Sequence, residues 1–139
     1  MLVQALYAWQ LSGNPLQDIA AQLLSGSFEQ HDEELPFRVN HKKIDNDYFV
    51  ELIKAIPQER AVLDDMLVPI IPIALEEVTP MEHAILWLGA YELTFKKDVP
   101  FKVAINESVE LAKIFGAQES HRFINGVLDK LSKNLNAPI

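Results

Sequence analysis

Asp98-Val-Pro-Phe-Lys-Val-Ala-Ile-Asn-Glu-Ser-Val-Glu-Leu-Ala-Lys-Ile-Phe-Gly116 runs on, after three residues, into Ser120-His-Arg-Phe-Ile-Asn-Gly-Val-Leu-Asp-Lys130. These two stretches decide the fold. Each repeats apolar residues at helical spacing. Asp98-Val-Pro100 opens the first helix and Gly116 closes it, and the second helix runs from about Gln118 to Leu135. Stepping roughly 100° per residue from Phe123, the residues Ile124, Val127, Leu128, Leu131 and Leu135 share one face, which is read as buried. Arg122, Gly126, Lys130 and Lys133 fall on the other side, and Phe123 lies on the border. Both helices carry an unusual polar pair, Asn106-Glu107 and Asn125-Gly126.

The rest of the chain is helical in the same sense. Leu2 to Leu11 reads as one helix ended by Ser12-Gly13-Asn14-Pro15, and Leu16 to Leu24 as a second, short one stopped near Gly26. Residues 26–44 read as a loop with a solvated charge run, His31-Asp-Glu-Glu34. Asp45 is the expected cap of a third helix, with Tyr48, Phe49, Leu52, Ile53 and Ile56 at helical spacing. Pro57 is expected to break or kink it; Leu63, Met66, Leu67 and Ile70 continue the period, and Pro69 and Pro72 close it. Thr79-Pro80-Met81-Glu82 is a strong start signal: Thr79 caps, Pro80 takes the first helical position, and Glu82 reaches back to complete a capping box. No strand-like alternation competes. The expectation is an all-α fold of six to seven helices. Two small bundles, about 1–72 and 73–139, would pack into a single compact domain spanning 1–139.

Composition narrows the function. The chain has 139 residues, enough for one domain with a real core, and no cysteine, so disulfides, thiolate metal sites and cysteine nucleophiles are excluded. That fits a reducing, cytoplasmic setting. The longest apolar run, Val68 to Leu75, is short and broken by prolines, so no membrane partner is expected, and no signal peptide is visible. His31, His41, His83 and His121 show no metal-ligand spacing and read as surface residues; neither a metal nor a cofactor is expected. Adjacent carboxylates such as Asp64-Asp65 diverge by roughly 100° on a helix and cannot readily share a site. With no phosphate loop and no nucleophile elbow either, an enzyme is not expected.

The formal charge of −8 argues against general nucleic-acid affinity. Its distribution is uneven. Residues 1–40 hold one basic and five acidic residues, 41–100 six and eleven, and 101–139 five and four, so only the last third is net positive. There the cationic stripe with Phe123 at its edge is the arrangement that single-stranded RNA uses, charge for the backbone and a ring for a base. The helical wheel leaves Phe123 open between core and stacking. It also leaves Gly126, which weakens the helix by about 1 kcal/mol relative to Ala, open between helix packing and close approach by a ligand. In the first helix Gln4, Tyr7 and Leu11 share an edge, and Tyr7 is open in the same way.

Val3-Gln-Ala-Leu-Tyr-Ala-Trp-Gln-Leu11, Leu75-Glu-Glu-Val78, Tyr91-Glu-Leu93, Val99-Pro-Phe-Lys-Val-Ala-Ile-Asn-Glu107 and Asn125-Gly-Val-Leu-Asp-Lys130 together resemble the NusB family of bacterial antitermination factors over nearly the whole chain. The RNA-binding domain fused to ribosomal-RNA cytosine methyltransferases is similar, but no methyltransferase sequence follows here. The resemblance implies an all-helical, non-enzymatic protein that pairs with NusE, a small-subunit ribosomal protein. The pair would bind the boxA element of nascent RNA and help RNA polymerase read through terminators, chiefly in ribosomal-RNA operons. By position, Gln4, Tyr7, Glu82, Arg122 and Phe123 match places the family uses at or near RNA, and Lys130 joins them from the stripe. The capping box alone also explains Glu82. The acidic Glu76-Glu77 pair is the expected contact for the basic partner. Relatives usually begin with an arginine-rich segment. This chain starts at Met1-Leu2-Val3 without one, and Trp87 stands where a basic residue is common, so weak RNA binding by the chain alone is expected. The alternative reading is an acidic helical scaffold that binds proteins and has little RNA affinity.

Overall fold

The computed structural model describes residues 2–12 and 46–135. Five α-helices and one short 3-10 turn make up most of them, with no strand among the described residues. The helices are α1 (Leu2–Ser12), α2 (Asn46–Leu67), α3 (Pro80–Phe95), α4 (Phe101–Phe115) and α5 (Ser120–Leu135); the 3-10 turn is Leu75–Glu77. The all-α class read from periodicity therefore holds. The short helix expected over 16–24, the loop over 26–44 and the cap at Asp45 lie outside the described residues. The chain divides into two compact units, Met1–Gln58 and Glu59–Ile139, at a point just after Pro57 and ahead of Pro72.

In the first unit α1 buries Val3, Gln4, Ala5 and Leu6, while Leu11 near its end is exposed. Leu52, Ile53 and Ile56 are the buried positions at the start of α2. Of the two outcomes expected at Pro57, a break or a kink, the break does not occur: α2 is continuous for 22 residues with Pro57 inside. A proline removes one N–H and crowds the carbonyl four residues back, at about 3 kcal/mol in a helix interior. That affects one rung. Buried Ile56 on one side and Leu63 and Leu67 on the other carry the apolar stripe past it.

In the second unit α3 is the central element. Its residues from Ala84 to Leu93 are all buried, so it has no solvent face along that length. Helices α4 and α5 pack against α3 and against each other. Helix α4 buries Ala104, Ile105, Ser108 and Ala112, and α5 buries Ser120, Ile124, Val127, Leu128, Leu131 and Ser132. Each large apolar side chain taken fully out of water contributes about 1.5–3 kcal/mol. The three helices come close together at Gly89. A Cβ there would lie 2.5 Å from Leu128 Cδ1 and 2.8 Å from Ser108 Oγ.

The capping box appears as read: the Glu82 backbone N–H donates to Thr79 Oγ1 at 3.2 Å, the Thr79 backbone N–H donates to Glu82 Oε1 at 3.3 Å, and Pro80 opens the helix. The α4–α5 connection differs in detail from expectation. Gly116 ends α4 in extended geometry (φ −85°, ψ 170°), not in the left-handed form of a glycine cap. Space explains the glycine instead, because a Cβ would meet Ala112 O at 2.7 Å and Ser120 Cβ at 2.8 Å. Helix α5 starts at Ser120, two residues later than read, because Glu119 has φ 76°, which no right-handed helix accepts.

Candidate nucleic-acid interface

Helix α5 is strongly amphipathic, and its outer side is the candidate interface. It holds three cations, Arg122, Lys130 and Lys133, against one carboxylate, Asp129. All three cations are exposed, and Phe123 is half-buried on the border between them and the core. Intermediate burial leaves part of this residue open to solvent. The wheel leaves Gly126 two readings, and the first does not apply here: among the described residues nothing lies within 4 Å of a Cβ built on it. Packing among the described helices therefore does not account for this glycine, which leaves a bare strip of backbone in the middle of the cationic side.

The cations have local partners. Arg122 Nε lies 2.9 Å from Glu119 Oε2, and Lys133 Nζ 3.1 Å from Asp129 Oδ2. These side chains are half or more exposed, so each pair is worth at most about 1 kcal/mol and yields readily to a stronger anion.

Glu82 sits at the head of this surface and is committed to structure. Its Oε1 accepts from both the backbone N–H and the hydroxyl of Thr79, at 3.3 and 3.0 Å. Its Oε2 accepts from Ser120 Oγ at 3.0 Å. One carboxylate thus caps α3 and ties down the first residue of α5, two positions before Arg122. Nothing in the residue pattern signals Ser120 in this role; only the distance reveals it. The other expected site residues stand apart. Glu76 and Glu77 are both exposed on the 3-10 turn. Gln4 and Tyr7 belong to the first unit, where Gln4 is only 2% exposed and Tyr7 is half-buried. Gln4, which a helical wheel placed at an edge, is thus buried with Val3, Ala5 and Leu6 in the first turns of α1.

The pattern that decides the family extends far beyond this surface: the NusB family matches residues 1–133. The chain belongs to the NusB family. It is 48% identical over 131 residues to the transcription antitermination protein NusB of Shewanella oneidensis, covering 94% of this chain and 89% of that protein. The proteins of the same name from Shewanella piezotolerans and from Shewanella baltica strain OS155 are each 47% identical over 131 residues. Trp87 has a clear structural role. Trp87 is 4% exposed, its indole N–H donates to Asp64 Oδ1 at 2.9 Å, and its ring lies 4.1 Å from that of His83. His83 Nε2 is 2.7 Å from the same Asp64 oxygen. His83 is therefore not the surface residue its isolation in the sequence implied but part of a half-buried link between the end of α2 and α3. No group of three or more His, Asp and Glu placed to hold a metal occurs among the described residues, and none of the described helices is long and apolar enough to cross a membrane.

Proposed function

We propose that this NusB-family antitermination factor works as a non-enzymatic RNA-binding adaptor in the cytoplasm. With NusE it binds the boxA element of nascent RNA, within the antitermination complex of RNA polymerase, and promotes read-through, chiefly in ribosomal-RNA operons. The observation that carries this reading is the open edge of α5. Arg122 and Lys130 are exposed, Phe123 presents part of its ring, and Gly126 leaves backbone bare between them. Arg122 and Lys130 take phosphates, and Phe123 stacks on a base. Tyr7 offers a second ring. Gln4, being buried, acts by positioning α1 rather than by touching RNA. Glu82 likewise acts by holding the start of α5. Glu76 and Glu77, exposed and acidic, face the basic partner.

The test titrates boxA RNA against the wild type and a Phe123→Ala, Arg122→Ala variant, each with NusE present and with helicity monitored. Loss of one stacked base, about 1–3 kcal/mol, lowers affinity about 5- to 150-fold. Unchanged affinity in a folded variant would refute the assignment of this edge and favour a protein-binding scaffold.

A further inference from the structure

The Asn-Glu and Asn-Gly words are not explained by the core: Asn106 and Asn125 are both exposed, and asparagine is among the poorer helix formers. The structure brings them together. They line one groove of about 510 Å³ between α4 and α5, with three cations, Lys102 and Lys113 from α4 and Arg122 from α5, against one carboxylate, Asp129, on its walls. Phe101 stands at the groove, 47% exposed, with Lys102 Nζ 6.0 Å from its ring centre. Cations, a partly exposed ring and two carboxamides form the set that single-stranded RNA uses, the amides offering both donors and acceptors to a base edge. The volume is within the range of roughly 300–1,000 Å³ typical of small-ligand sites.

Position links the groove to the Phe123 edge. Stepping roughly 100° per residue, Phe123 is at zero, Gly126 at about 300°, Arg122 at about 260° and Asn125 at about 200°. The path from the Phe123 ring round the outside of α5 into the groove therefore passes over Gly126, where no side chain stands in the way. We propose that RNA held at the Phe123 edge crosses α5 at Gly126 and continues into the α4–α5 groove. There Asn106 and Asn125 read a base, and Lys102, Lys113 and Arg122 hold its phosphates. This inference rests on the RNA reading above and adds a second subsite to it. The groove's charge alone would also suit an acidic protein, but the open Gly126 crossing makes it continuous with the RNA edge.

The experiment uses the full chain with NusE and two RNAs: boxA alone, and boxA lengthened at both ends by a short run of uridines. The wild type binds the longer RNA more tightly. Gly126→Gln fills the crossing; it raises the melting temperature by about 2–3 °C through helix propensity. The same change lowers affinity for the longer RNA about tenfold, the loss of roughly one stacked base, whereas Asn106→Ala with Asn125→Ala weakens the longer RNA to a similar extent and leaves boxA alone within about twofold of wild type. Lys102→Gln with Lys113→Gln reduces the salt slope on the longer RNA by about 1.4, at roughly 0.7 per phosphate contact. If groove variants leave the longer RNA untouched while Phe123→Ala weakens both RNAs, the groove inference is overturned and the proposed function stands. If those variants instead abolish binding of polyglutamate, the groove belongs to an acidic protein and the inference is likewise overturned. If Phe123→Ala changes neither RNA, the underlying RNA reading fails and this one with it.

Discussion

Replacing Glu82 with alanine removes three hydrogen bonds that one carboxylate makes: two from Thr79 at 3.0 and 3.3 Å, and one from Ser120 Oγ at 3.0 Å. The Glu82 backbone N–H to Thr79 Oγ1 bond survives, so half of the capping box remains. The two Thr79 bonds are exposed and together contribute about 1 kcal/mol, the usual size of a cap. The Ser120 bond is half-buried and goes to a carboxylate, which makes it worth about 1.5 kcal/mol. Glu82→Ala therefore destabilises by about 2–3 kcal/mol. With an unfolding entropy near 2.1 cal/mol/K per residue, the midpoint falls by about 7–10 °C, read by circular dichroism at 222 nm. Glu82→Gln is the decisive companion. A glutamine carries on the capping box, and its amide can still pair with the Ser120 hydroxyl, so the midpoint stays within about 2 °C of wild type. RNA affinity is also retained, because the residue serves by holding the start of α5. An alanine variant that melts with the wild type would refute the structural role. A glutamine variant that melts normally but loses RNA would show that the carboxylate itself meets the ligand.

Three further outcomes test packing and backbone conformation. Ser108 Oγ is buried without a hydrogen-bond partner among the described residues, so Ser108→Ala stabilises by about 1 kcal/mol in urea unfolding, and any loss of stability would show the hydroxyl to be satisfied. Trp87→Phe removes the donor to Asp64 and leaves unfilled volume, and destabilises by about 2 kcal/mol by the same measurement; a neutral result would mean that His83 alone satisfies Asp64. Glu119→Gly relieves a left-handed backbone that disfavours side chains by about 1–2 kcal/mol; after the entropy of glycine it stabilises by about 0.5–1 kcal/mol, and a lower midpoint in urea would show that the Glu119–Arg122 pair outweighs the strain.

What the sequence revealed and what it hid follow one division. Features set by neighbours along the chain were legible. Thr79-Pro80-Met81-Glu82 announced its capping box, and the spacing of Ile124, Val127, Leu128 and Leu131 announced the buried side of α5, with Phe123 on the border. Features set by through-space partners were not. Nothing local says that Ser120 meets Glu82, or that Asp64 collects both His83 and Trp87. Nothing local says that the Gln4 amide is enclosed, since burial there depends on what surrounds α1. The start of α5 was misplaced because a left-handed glutamate is uncommon and has no composition signal. Pro57 left a break or a kink open, and the break it threatens is opposed by burial on both sides.

The bond between Glu82 and Ser120 has an electrostatic consequence. The amino end of an α-helix carries roughly half a positive charge and is ordinarily an invitation to phosphate. Here the Glu82 carboxylate lies in the first turn of α3 and against the first residue of α5, so two such ends are answered by one anion that the protein supplies itself. An incoming polyanion finds no vacancy there and is turned away from the helix starts. At these two helix starts any attraction for an anion is thereby left to side chains, such as those further along α5 and on α4, whose number and sign can be altered without disturbing the backbone that holds them.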